Sequence, residues 1–248
     1  MINKVLVPVD GSDFAEEALP LAIGLARRAE AEIHLARVHI ARGLPYYEAL
    51  SEPDPEEDAR IRAEEEAALR RAAERVEAEG VTARVELLDG GITNALAEYI
   101  DEAEIDIVVM TTHGRGGLSR AWLGSVADRL VRTTSAPVLL VRPGETKPVE
   151  AEGLNEILIP LDGSALSESV LGPATQLAAL ADARIVLLQV YLYGVPLGQA
   201  ATMASAGERA PKATTVYLEN VAKDLRAAGF EVETIAVTDY MPAPAIPD

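Results

Sequence analysis

The sequence has no cysteine, few aromatic residues and fewer basic than acidic residues. Without cysteine it offers no disulfide, no thiolate nucleophile and no zinc–thiolate site. Its 40 acidic residues against 22 basic ones give a formal net charge of −18, which repels nucleic acid and anionic lipid head groups. It also shows neither a signal peptide nor an apolar run of membrane-spanning length. We therefore expect a cytoplasmic protein with no nucleic-acid or membrane partner.

The residues that bear most directly on function follow a short apolar run at 106–110. This run is typical of a buried parallel strand, and it leads through Gly114 to Gly124 and Ser125, where a new helix is predicted. Such a loop leaves the carboxyl end of the sheet, where open α/β sheets bind ligands. The free N–H groups of the helix would point into the same crevice, and glycines let a backbone approach phosphate oxygens. The pattern predicts an anion-binding loop.

The first 143 residues alternate short apolar runs with amphipathic segments. The runs that predict strands span residues 4–9, 33–38, 82–88, 106–110 and 136–141. The segments that predict helices span residues 14–29, 55–79, 95–103 and 125–134. The first strand ends at Asp10-Gly-Ser12, and Ser12 or Asp13 can cap the helix that follows. Five strands alternating with four helices predict a doubly wound parallel α/β sheet.

An internal repeat divides the chain. Residues 4–40 align without gaps with residues 156–192, and Pro8-x-Asp-Gly-Ser falls on Pro160-x-Asp-Gly-Ser. This predicts two α/β domains in tandem. The expected bounds are 1–143 for the first domain, 144–153 for the linker and 154–248 for the second domain.

The second domain is predicted to be incomplete, because Asp248 aligns opposite Tyr99 of the first. It then lacks the fourth strand, the glycine loop and the fifth strand, and its first strand is left as an apolar edge. We expect another chain or the first domain to cover that edge, unless the sequence is a truncated form of a longer tandem protein. The proline-rich ending favours truncation.

Gly114, Gly124 and Ser125, with the opening Pro8-x-Asp10, resemble the universal stress protein family. Nucleotide-binding members of that family carry G-x2-G-x9-G followed by Ser or Thr at this place, and the first glycine falls on Thr111 here. If that position required positive φ, threonine would cost roughly 1 to 2 kcal/mol, or about tenfold in affinity. The resemblance implies the strand order 3-2-1-4-5 of the adenine nucleotide alpha hydrolase fold.

The resemblance also implies a set of site residues. Adenine and ribose would be lined by Pro8, Val9, Asp10 and Val38. Phosphate and ribose would be bound by Met110, Thr111, His113, Gly114, Gly124, Ser125 and Val126. Arg115 could add a cation, or it could belong to a solvated loop. Two of the roles have alternatives that the sequence leaves open. Asp10 could accept from the nucleotide or bond its own turn, and His113 could be a general acid or base or a brace for the loop.

By the same resemblance, the first domain would bind ATP, ADP or AMP, with Mg²⁺ as an optional companion of the phosphates, and act in stress signalling. The enzymatic alternative is slow ATP hydrolysis. The sequence designates no residue to activate water, so we expect no more than a slow rate. The rival reading is a nucleotide-free scaffold, a homodimer paired along residues 137–141. The sequence has no G-x-x-x-x-G-K motif followed by Ser or Thr, no G-x-S-x-G elbow and no H-E-x-x-H helix.

Overall fold

The computed structural model describes residues 1–40, 55–112, 123–142, 153–192 and 212–239. The chain forms two compact units, Met1–Gly153 and Leu154–Asp248. Among the described helices, none has both the length and the apolar composition needed to cross a membrane.

The first unit is a parallel α/β sheet. Its elements in chain order are β1 (Lys4–Pro8), α1 (Asp13–Glu16), α2 (Leu19–Ala29), β2 (Glu32–His39), α3 (Pro55–Ala78), β3 (Ala83–Asp89), α4 (Ile92–Glu102), β4 (Ile107–Thr111), α5 (Ser125–Thr133) and β5 (Val138–Val141). The strands pair in the order β3-β2-β1-β4-β5, and every pairing is parallel. The predicted fold class and strand order are confirmed.

The two central strands are buried because helices cover both faces of the sheet. All five residues of β4 are buried, as are the middle three residues of β1. On one face, Leu6 and Val108 from these strands pack with Ile100 of α4 and Leu130 of α5. Continuous apolar runs are what such a two-sided environment requires. This core fixes the carboxyl ends of β1 and β4 beside one another.

Two helix boundaries differ from the sequence predictions. The helix predicted over residues 14–29 is broken into α1 and α2, with Pro20 in the first turn of α2, where proline's missing N–H is tolerated. Helix α4 begins at Ile92 with Gly91 as its N-cap, three residues before the start of the helix predicted over residues 95–103. Ser12, one of the two residues predicted to cap this helix, caps α1 by accepting a hydrogen bond from the Ala15 N–H.

The second unit contains a smaller parallel sheet. Its elements are β6 (Glu156–Pro160), α6 (Ala165–Glu168), α7 (Leu171–Ala181), β7 (Arg184–Leu192), α8 (Lys212–Ala227) and β8 (Val232–Asp239), and the strand order is β6-β7-β8. The register of β6 on β7 begins at Glu156 opposite Arg184, just as β1 on β2 begins at Lys4 opposite Glu32. The opening β-α-β geometry of the first unit therefore recurs in the second.

Candidate functional site

The first sheet opens between β1 and β4 at its carboxyl edge. These strands pair at Val5 with Ile107 and at Leu6 with Val108, where their described ladder ends. Strand β1 instead continues along β2, and the Val9 N–H donates to the Ala36 carbonyl over 2.9 Å. Strand β4 continues along β5 to its own end. Beyond this point β1 pairs with β2 and β4 pairs with β5, so a crevice begins between β1 and β4. This is the usual ligand position in such sheets.

Asp10 closes the turn at the end of β1. Its Oδ1 accepts from the Ser12 N–H at 2.9 Å and from the Ser12 hydroxyl at 2.6 Å. Gly11 between them has a φ of 79°, a left-handed conformation that favours glycine. The structure thus shows the turn role of Asp10. Because a carboxylate can accept about four hydrogen bonds, this turn role and contact with a ligand are compatible.

The start of α5 is tied to the end of β4. The Gly124 N–H donates to the Thr112 carbonyl at 2.7 Å, and the Thr112 N–H donates to the Val141 carbonyl at 2.9 Å. Gly124 is the N-cap, with φ −61° and ψ 151° and no side-chain cap, and Ser125 is the first helical residue. Ser125 therefore lies inside the helix and does not cap it. The tie brings the uncapped amino end of a nine-residue helix to the crevice, and helix amino ends attract anions.

The acidic residue in the first turn of α5 is neutralised within the helix. Asp128 accepts from Arg132 at 3.0 Å, and this hydrogen bond lowers the pKa of the Asp128 carboxyl while raising that of Arg132. The Asp128 backbone N–H is used in the helix, donating to the Gly124 carbonyl at 2.8 Å. The ion pair weakens the repulsion that Asp128 would exert on an anion at the helix end.

Thr111 stands where the family motif has its first glycine, but its backbone does not need glycine. It lies in β4 opposite Val141, and its side chain is 6% exposed. Among the described residues, the non-glycine positions with positive φ are Glu30, Glu104 and Asp182. The strain that the sequence reading attached to Thr111 is therefore absent, because that strain assumed a left-handed backbone.

The apolar candidates lie in or against one cluster. Met110 belongs to the buried cluster formed with Leu6 and Leu130, and Val38 and Val126 pack against it as partly buried side chains. Val38 is near the end of β2, opposite Leu88 of β3. One wall beside the crevice is thus apolar, as a purine or ribose ring would require.

Most of the described candidates collect at one edge of the sheet. Pro8, Val9 and Asp10 lie at the end of β1, Met110 and Thr111 at the end of β4, and Gly124, Ser125 and Val126 at the start of α5. Val38 lies one strand away, at the end of β2. The predicted candidates His113, Gly114 and Arg115 lie outside the described residues, so their roles stay predictions.

Sequence reasoning missed a buried histidine, held between two carboxylates, next to Val38. His39 is 3% exposed and contacts Glu65 and Asp58 of α3. The two carboxylates are seven residues apart, two helical turns on one face. Their spacing was readable from the sequence, but nothing in it indicated that this face meets the end of β2.

Residues 1–142 match the model of the universal stress protein family, so the chain belongs to that family. Among its relatives, universal stress protein MJ0531 of Methanocaldococcus jannaschii is 32% identical over 143 residues, covering 57% of this chain and 83% of that protein. A universal stress protein of Thermus aquaticus, encoded in the QAH/OAS sulfhydrylase 3′ region, is 35% identical over 146 residues, covering 57% of this chain and 100% of that protein.

A solved structure extends the likeness in fold to nearly the whole chain. The crystal structure of a universal stress protein from Archaeoglobus fulgidus superimposes with a TM-score of 0.73 at 18% identity. The match covers 98% of this chain and 80% of that one. At this identity the match shows the fold alone.

Proposed function

We propose that the first unit binds an adenine nucleotide, ATP or its relatives ADP and AMP, and acts as a regulatory module in a stress response. The observation that carries this proposal is the divergence of β1 and β4 beyond Leu6 and Val108, with the uncapped start of α5 tied to the same edge. An open sheet with a helix amino end at its switch point suits a phosphorylated ligand.

The site divides into a polar and an apolar part. Backbone N–H groups of Ser125 and Val126 would bind phosphate beside Gly124, whose own N–H is bound to the Thr112 carbonyl, and His113, Gly114 and Arg115 are further predicted phosphate contacts. Asp10 would accept from ribose or base, while Val38 and Met110 would offer apolar contact to the rings. This division is supported by the position of the described members of both sets at the carboxyl edge of the sheet.

Any Mg²⁺ would be held chiefly through the phosphates. Within the described ranges, no group of three His, Cys, Asp or Glu side chains could hold a metal ion. Mg²⁺ commonly binds one or two carboxylates together with substrate phosphates and keeps several waters. Asp10, which follows the end of β1, is a carboxylate at this edge of the sheet that could contribute to such a site.

We also propose that residues 154–248 form a second copy of the family domain, joined to domain 1–143 by the linker 144–153. The recurrence of the β1–β2 register in β6 and β7 supports this division. In the part of the chain that the structure describes, β6 pairs only with β7. A homodimer or another partner would cover the other edge of β6.

The test is the nucleotide content and affinity of the purified protein. We expect denaturation to release close to one adenine nucleotide per chain, and the stripped protein to bind ATP. Gly124→Val should abolish this binding, because its side chain would stand between the helix amides and phosphate. It should fold, because valine adopts the backbone of Gly124 (φ −61°, ψ 151°) without strain.

Gly91→Val is the matched control. Gly91 is also an extended N-cap glycine without a side-chain cap, a Cβ there would meet nothing within 4 Å, and it lies beyond β3 at the far end of the sheet. The control should retain nucleotide. Equal binding by Gly124→Val and wild type would sink the assignment of the α5 end, and no binding up to millimolar ATP would sink the nucleotide proposal.

A nucleotide-free scaffold is the second candidate, favoured by the edge strand β5. Three of its four residues, Val138, Leu139 and Leu140, are only partly buried although apolar. Pairing of two β5 edges would remove this surface from water. Sedimentation of wild type and Gly124→Val at several concentrations separates the two candidates: a dimer that persists in the variant supports the scaffold role, and a monomer contradicts it.

A further inference from the structure

His39 is held between two carboxylates of α3. Its Nδ1 lies 2.6 Å from Glu65 Oε2, and its Nε2 lies 3.0 Å from Asp58 Oδ1. The imidazole is 2% exposed, while Glu65 is 13% and Asp58 28% exposed. A neutral imidazole has one N–H donor, so it can donate to only one ionised carboxylate. The observed pair of contacts requires the imidazolium form when both carboxylates are ionised.

His34 provides the contrast within the same strand. It is equally buried, and its Nε2 lies 2.8 Å from Glu32 Oε1 while its Nδ1 lies 2.6 Å from the Tyr99 hydroxyl. A hydroxyl can donate as well as accept, so a neutral His34 satisfies both contacts. Of these two histidines, His39 alone faces two groups that, when ionised, can only accept hydrogen bonds.

The charges around His39 balance only when it is protonated. On α3, Glu65 and Asp58 contact His39, and Arg62 lies between them in the sequence. On β3, Asp89 is the register partner of His39. On its own strand, Arg37 binds Glu65 at 2.9 Å. Arg62 forms an ion pair with Asp89. Three carboxylates thus meet two guanidinium groups, and the imidazolium supplies the third positive charge.

The local electrostatics agree with this count. The hydrogen bond to Glu65 raises the pKa of His39 above its ordinary value of 6.5, burial opposes the rise, and Asp58 adds to it. In turn, Arg62 above all, with a smaller contribution from His39, lowers the pKa of Asp89.

The described residues of the second unit do not contain this arrangement. The gap-free alignment of residues 4–40 with residues 156–192 places Tyr191 at the position of His39 and Gln189 at the position of Arg37. Aligning the ends of α3 and α8, Ala78 and Ala227, places the buried Thr214 at the position of Glu65. These three replacements are uncharged at neutral pH. The fold itself therefore does not require an ionised cluster here, and the cluster is a property of the first unit.

We propose that His39 is a proton-operated clamp that fastens the first turns of α3 to the end of β2. The imidazolium form holds both carboxylates. Loss of its proton releases Asp58, because Glu65 is less exposed and is also bound by Arg37. The clamp lies next to Val38 and so places a proton-dependent contact beside the crevice edge of the sheet, whether or not a nucleotide binds there.

The direction of the pH effect follows from linkage. A proton held more tightly in the folded state stabilises that state fully below the ordinary pKa of 6.5. The stabilisation is lost as pH rises through the raised, folded-state pKa. Within that window the folding constant falls by about tenfold per pH unit through this one group. The start of α3 should therefore be tightly held in acid and looser in mildly alkaline solution.

The first experiment is an NMR titration of the ring nitrogens in ¹⁵N-labelled protein. The chain has three histidines, and the His39 signals are assigned by their loss in His39→Gln. We expect both His39 nitrogens to remain protonated at pH values where free imidazole is neutral. Asp58→Asn, which keeps the histidine and its other partner, should lower that titration midpoint. A midpoint at or below 6.5 in the wild type, or one unmoved by Asp58→Asn, would overturn the clamp.

The second experiment is hydrogen exchange of the peptide that covers residues 55–66, corrected for the intrinsic pH dependence of exchange. Protection in the wild type should fall as pH rises past the midpoint found by NMR. It should not depend on pH in Asp58→Asn, because a carboxamide can accept from the imidazolium and donate to the neutral ring, and His34→Gln should behave as wild type in this peptide. Protection that is independent of pH in the wild type would refute the release of Asp58.

Discussion

Replacing Thr111 with glycine tests whether this departure from the family motif harms nucleotide binding. Thr111 is 6% exposed within β4 and lies opposite Val141. Loss of its buried methyl group, and of a β-branched side chain that suits a strand, should lower the free energy of unfolding by about 1 kcal/mol. The added backbone freedom of glycine in a strand should cost a further 0.5 to 1 kcal/mol, roughly. We therefore expect Thr111→Gly to destabilise the first unit by about 2 kcal/mol.

Thr111→Ala separates these two contributions, because alanine loses the methyl and hydroxyl groups but keeps the Cβ. It should cost about half as much as glycine. Unfolding in urea can be followed by circular dichroism, with the wild-type protein as the reference. A loss of 2 kcal/mol should lower the urea midpoint by about 1 M.

ATP affinity gives the decisive comparison. Because Thr111 has no left-handed backbone to relieve, we expect the affinity of Thr111→Gly to stay within about threefold of wild type, on the order of 0.6 kcal/mol. Relief of a positive-φ strain would instead tighten binding by about tenfold. Tighter binding of that size, without loss of stability, would refute the extended conformation of Thr111 in the liganded protein.

Two further predictions concern stability. Asp106 accepts from the N–H groups of Asn3 and Lys4 at 2.7 and 3.0 Å, so Asp106→Ala should destabilise the first unit by about 1 to 3 kcal/mol in the same urea assay; an unchanged midpoint would contradict the role of this contact. Glu30 and Asp182 end α2 and α7 with φ of 54° and 55°, so Glu30→Gly and Asp182→Gly should each stabilise by roughly 0.5 to 1 kcal/mol in thermal unfolding. The gain should be smaller for Asp182, since aspartate tolerates this conformation better than glutamate; a loss at both sites would oppose the assignment.

The sheet could be predicted from the sequence because its signals are local. The residues of β4 form an unbroken apolar run, and Gly80, with a φ of 80°, follows the end of α3. Each signal acts within a few residues, and the parallel α/β pattern then restricts the topology. The strand order itself came from the family resemblance. The break between α1 and α2 at Pro20 was also readable, but the continuous apolar stripe outweighed it.

Interactions between distant elements were much harder to predict. On α3, Asp58 and Arg62 have the i, i+4 spacing of a helical ion pair, yet Asp58 contacts His39 and Arg62 contacts Asp89. The pairing Glu66 with Arg70 is found, at 3.1 Å. Exposed i, i+4 pairs are worth only about 0.3 to 0.5 kcal/mol. A buried partner from another strand can therefore redirect a helical side chain, and the sequence spacing alone cannot reveal it.

The repeated Asp-Gly-Ser turn shows which part of the candidate site is structural. Asp162 accepts from the Ser164 N–H at 2.8 Å, as Asp10 accepts from Ser12, and its hydrogen bonds, first to the Ser164 side chain, lower its pKa to about 2. Among the described strands of the second unit, β6 has no partner in the place of β4. The turn thus forms without a neighbouring strand in the place of β4. Its structural role, which is to join a β-strand to the following helix, is therefore enough to explain why an aspartate stands at this position. A ligand role for Asp10 must come from β4 and α5 beside it, which leads us to expect one nucleotide per chain.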